Sequence, residues 1–91
     1  MINNFYKTKL VYNVLDHINS EREKLKSDLV AYSNDPVRYS RRFRMLTNLA
    51  EYEITILKKI REFDSIEGND SSNGFLMMIK QEIKCIVDTD A

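Results

Sequence analysis

Glycine and proline are nearly missing from this chain. Gly68, Gly74 and Pro36 are the only three in 91 residues. Sandwiches and barrels need special backbone dihedrals at many turns and normally carry more of both. No segment alternates apolar and polar side chains over the length of a strand. Long helices with few connections are the class that tolerates this composition, so the expected fold is all-α. Cysteine is equally scarce, and Cys85 alone excludes an intrachain disulfide framework.

An excess of one charge is also missing. Fourteen basic and fourteen acidic side chains give a formal net charge of zero. That excludes a domain-wide cationic field for nucleic acid and leaves room only for a local patch. The longest apolar run is Phe75-Leu76-Met77-Met78-Ile79, far short of the roughly 18 residues a membrane span requires. The opening residues Met1-Ile2-Asn3-Asn4-Phe5 lack the charged and apolar regions of a secretory signal. A mass of 10.8 kDa allows one modest core that buries about two-thirds of the unfolded surface. The expectation is a single soluble, cytoplasmic domain. Ile, Asn, Lys, Tyr and Phe, by contrast, make up 34 residues. Their codons are AT-rich and point to a low-GC genome, with a phage or plasmid among the candidates.

Three helices are expected, near residues 4–33, 36–64 and 74–88, with a mobile loop over 65–73. The first has apolar residues stepping by four and three through Val11, Leu15, Ile18, Leu25, Leu29 and Tyr32, interrupted only by Arg22. That is a narrow coiled-coil-like seam. Ser33-Asn34-Asp35-Pro36 follows. Asp35 suits the N-cap, Pro36 the first helical position, and Asn34 a left-handed residue closing the preceding helix. Tyr39, Leu46, Leu49, Ile56, Ile60 and Phe63 carry the second seam, with Arg42 and Glu53 inside it. Asn4 is the expected N-cap of the first helix, and residues 88–91 the expected frayed end. One boundary has an alternative. Ser20-Glu21-Arg22-Glu23 fits a capping box, so the first helix could break at Asn19-Ser20, but the seam crosses this point without a phase shift.

The apolar surface is uneven along the hairpin. Residues 5–18 and 45–60 are broadly apolar and need a third helix, which makes a three-helix bundle at that end. Residues 19–44 carry about one apolar residue per turn. They either protrude as a mobile arm or pack on something else, and a second copy of the chain is the simplest partner, giving a larger helical bundle. Leu25, Leu29, Tyr32 and Leu46 are the expected self-association residues, so a homo-oligomer is expected. Charge divides along the same axis. Residues 19–45 hold seven cations against four anions, a net +3, and the remainder carries −3.

Arg38, Arg41, Arg42 and Arg44 fill two turns at the start of the second helix, beside Tyr39 and Phe43. Arginine's planar fork suits phosphate and carboxylate, and cations at a helix N-terminus oppose its macrodipole. These four are the candidate partner-contact residues. The alternative is a solvated face with some arginines paired to Asp28, Asp35 or a second subunit. Arg22 and Glu53 are the charges inside the seams. They either meet as a register-setting pair or snorkel to solvent. His17 with Asp16 and Glu21 makes at most a weak metal-ligand set, so His17 is read as a partly exposed structural residue. Cys85 is read as a buried packing residue. Met77 and Met78 are read as core packing with one of them exposed. No nucleophile–base set and no phosphate-cradling glycine motif is present. The expected function is therefore a small non-enzymatic interaction module, an adaptor, regulator or inhibitor, without cofactor or metal. It self-associates through the hairpin and meets an acidic protein surface with its arginines. The alternative is a nucleic-acid-binding accessory protein using the same patch on phosphates.

Overall fold

The computed structural model describes residues 5–63 and 66–88. Three α-helices, α1 (Phe5–Ala31), α2 (Pro36–Glu62) and α3 (Asn69–Ile86), make up 88% of them, with no strand among the described residues. The all-α three-helix expectation is met. The molecule measures 54 × 19 × 16 Å. A 27-residue helix is about 40 Å long, so the two long helices set the major axis and run antiparallel.

α1 is continuous through Asn19-Ser20, and the capping box there is not used. Instead Asn19 Oδ1 accepts a hydrogen bond from Arg22 Nη1 at 2.7 Å. Leu25, just beyond, is buried in the seam with α2, and a break would lift it out. The turn between α1 and α2 follows the sequence in one respect and departs from it in another. Asp35 caps α2, with its Oδ1 accepting from the Arg38 backbone N–H at 3.2 Å, and Pro36 opens the helix. Asn34, however, is not left-handed: no described residue has positive φ. The chain leaves α1 through a short turn in which the Asp35 N–H donates to the Tyr32 carbonyl at 2.9 Å.

The third helix starts five residues earlier than its apolar pattern indicates. Asn69-Asp70-Ser71-Ser72-Asn73-Gly74 are poor helix formers and read as loop, yet they form the first turns of α3. The Ser71 hydroxyl accepts from the Glu67 and Gly68 backbone N–H groups, at 3.1 and 3.2 Å. It thereby ties the third helical position back to the N-cap. Ile66, in the expected loop, is 5% exposed and part of the core. The expected loop over 65–73 is thus mostly ordered helix start, although residues 64 and 65 fall outside the described part. So do residues 4 and 89–91, where an N-cap and a frayed end are expected.

The core is one cluster built from Leu10, Val14 and Ile18 of α1, Leu49, Ile56 and Ile60 of α2, and Ile79 and Ile83 of α3, closed by Ile66. α3 lies chiefly against α1, and its last turn reaches Glu21: Ile83, Lys84 and Val87 share a groove with His17 and Glu21. Beyond that level the molecule is two helices thick. There only Leu25, Arg42 and Met45 are buried.

Candidate interaction surface

The four candidate arginines divide into two pairs. Arg38 and Arg42 are one turn apart, and both guanidinium groups stand over the Tyr32 ring, at 5.1 and 4.7 Å from its centroid. Arg42 is 7% exposed, and its Nε donates to Asp28 Oδ2 at 3.5 Å. Arg38 Nε lies 3.6 Å from Asp35 Oδ2. These side chains cover the seam of the arm where α3 has ended. Their charges are held by Asp28, Asp35 and an aromatic face. Arg42 is thus part of the arm's packing, whereas Arg38 is paired to Asp35 yet stays exposed.

Arg41 and Arg44 point elsewhere. Both are exposed, and with Val37, 68% exposed, they follow the i, i+4, i+7 spacing of a single helix face. Arg44 also lines a shallow groove with Tyr39, Ser40, Phe43 and Thr47. Phe43 is 57% exposed. This outer side of α2 combines two guanidinium groups with an aromatic ring and a branched apolar side chain. It can grip a carboxylate or phosphate bidentately and bury apolar surface beside it. Phe43 is noted in the sequence beside the arginines, whereas Val37 is not, because reading along the core seam gives no weight to apolar residues outside it.

The expected self-association residues divide in a similar way. Leu25 is 2% exposed and fully used inside the hairpin, and Tyr32 is engaged by the two arginines. Leu25 is thus closed off from a second chain, whereas Tyr32 is half-buried. Leu29 and Leu46 remain half-buried on the side of the hairpin away from α3.

The seam charges do meet. Arg22 Nη2 donates to Glu53 Oε1 at 3.0 Å, each side chain being about one-quarter exposed. His17 is half-buried beside Glu21 and Lys80. Cys85 is exposed, not buried: it lies two residues beyond Ile83, off the α3 face that packs on α1. Met77 and Met78 are both exposed, since Ile79 and Ile83 fill the space between α3 and α1. No three His, Cys, Asp or Glu side chains converge among the described residues. Tyr52 donates its hydroxyl to Glu82 Oε1 at 2.9 Å. Burial, reinforced by that hydrogen bond and the carboxylate charge, pushes its phenol above the ordinary range. The bond tethers α2 to α3. None of the helices is long and apolar enough to cross a membrane.

The chain has no match among protein-family models, curated proteins or solved structures.

Proposed function

We propose that this chain is a small non-enzymatic interaction module that pairs with itself through the hairpin and presents the outer side of α2 to a macromolecular partner. Arg41 and Arg44 grip acidic groups of the partner, and Val37 and Phe43 bury apolar surface beside them. The observation that supports this reading is the division of labour among the arginines. Arg42 is buried against Tyr32 and Asp28, while Arg41 and Arg44 lie exposed next to the exposed side chains of Val37 and Phe43. Aromatic and arginine side chains are enriched where binding energy concentrates. An adaptor, regulator or inhibitor needs no more than such a surface on a rigid support.

An acidic protein surface is favoured over nucleic acid because the patch is half apolar and holds few cations. The test is affinity capture from the native source, repeated with Arg41→Ser/Arg44→Ser and with Arg38→Ser. The reading expects the partner to be lost with the first variant and kept with the second. Retention with both would move the contact elsewhere. A steep log-linear loss of binding with salt would identify a phosphate backbone as the partner instead.

A further inference from the structure

We infer that the face of the hairpin opposite α3 is covered by a second copy of this chain, laid antiparallel, with the Arg22–Glu53 pairs of the two copies meeting at the twofold axis. The inference rests on the self-association in the reading above and moves it from Leu25 and Tyr32 to a different set of residues. α3 touches α1 along His17 and Glu21 and α2 at Tyr52. The opposite side of α1 carries Val11, Leu15, Arg22 and Leu29, and that of α2 carries Leu46, Ala50, Glu53 and Leu57. Val11, Leu15, Leu29, Leu46 and Leu57 are only half-buried, and Ile54 beside them is 72% exposed.

Spacing distinguishes this face from a scatter of surface apolar residues. On α2, positions 46, 50, 54 and 57 step by four and three, parallel to the buried series 45, 49, 56 and 60. A helix with two such series on adjacent sides belongs in a bundle of more helices than its own hairpin supplies, and α3 covers neither side of this second series. Two hairpins placed face to face complete a four-helix arrangement there.

Charge selects a second copy as the occupant. The polar feature in the middle of the face is the Arg22–Glu53 pair, near the midpoint of the hairpin. Under a twofold axis, Arg22 of one copy lies beside Glu53 of the other, and the reverse holds, so the pair complements itself. Arg22 also keeps guanidinium donors beyond the two that reach Asn19 and Glu53. The formal net charge of zero adds no overall repulsion between copies. The antiparallel sense places the +3 segment, residues 19–45, beside the −3 remainder of the other copy. A parallel pair would set like ends together. Arg41 and Arg44, on the outer side of α2, stay exposed in both copies.

Sedimentation equilibrium on the full chain, from micromolar to several hundred micromolar, tests this. Wild type is expected at twice 10.8 kDa. Ile54→Glu changes an exposed residue, so its circular dichroism and melting temperature should match wild type. Its dissociation constant should rise by at least about tenfold, because a carboxylate enters an apolar interface. Arg22→Glu alone and Glu53→Arg alone should each be monomeric, whereas their equimolar mixture should dimerise, each like pair being replaced by two opposite pairs. A wild-type dimer unaffected by Ile54→Glu would overturn this face and leave self-association standing. A mixture that stays monomeric would overturn the twofold position and with it the inference. Wild type at 10.8 kDa throughout would overturn self-association as well, without touching the test of Arg41 and Arg44.

Discussion

The base and the arm of this molecule keep water out of a helix–helix seam by different means. At the base, α3 lays Ile79 and Ile83 over Leu10, Val14, Ile18, Leu49, Ile56 and Ile60, and the core is wholly aliphatic. In the arm the third helix is missing. There Leu25 and Met45 are buried in a seam that also holds the buried Arg42, and Arg38 and Arg42 stand over the Tyr32 ring with Asp35 and Asp28 as their anions. The lesson is that a cation cluster at a helix start need not be a binding patch as a whole. Part of it can close over a seam too thin to be covered by apolar residues alone, as Arg42 does here.

The largest expected effect breaks the base. Ile79→Ala removes a fully buried side chain of α3 and should cost about 2–5 kcal/mol, lowering the melting temperature of the whole chain. The counterpart in the arm is Arg42→Ala. It strips a buried stem, leaves Asp28 without its cation, and should cost about 1–3 kcal/mol. Native-state hydrogen exchange should confine that loss to residues 22–45, where no third helix transmits it. Equal losses of protection at both ends would dissolve the distinction. Gly74→Ala sharpens the base in the other direction. A Cβ there meets nothing within 4 Å, and Gly74 lies within α3, so a gain of about 0.5–1 kcal/mol is expected in thermal melts. Tyr52 adds a pH signature to the base alone. Its folded pKa is raised above the ordinary value of 10.0. The unfolded state therefore loses its proton first as pH rises, and stability that is complete below 10 declines above it. Denaturant titrations at rising alkaline pH should show a shallower decline in Tyr52→Phe.

The sequence disclosed these two regions unequally. The narrowing of the apolar stripe after Ile18 was visible, and so were the stop at Asp35-Pro36 and the need for a third helix at the base. Each follows from residue type and spacing alone. The start of α3 was not visible, because Asn69 to Gly74 have low intrinsic propensity. What overrides it is Ser71 bridging back to Glu67 and Gly68, and Ile66 anchoring in the core. The exposure of Cys85 was missed for a similar reason: its apolar neighbours indicate a buried stripe, but only one edge of that stripe meets α1. At the candidate surface, the arginine cluster was legible as a cluster. Its division was not, since the faces Arg38–Arg42 and Arg41–Arg44 look alike until Tyr32 and Asp28 are brought across from α1.

That division is the central claim, and hydrogen exchange on two double variants tests it most directly. Arg38→Ala/Arg42→Ala should raise exchange across residues 22–45 while residues 8–18 and 49–60 keep their protection. Arg41→Ser/Arg44→Ser should leave exchange and melting temperature close to wild type, since exposed charges contribute only about 0–1 kcal/mol each. An arm that stays protected without Arg38 and Arg42, or that opens when only Arg41 and Arg44 are changed, would contradict the account.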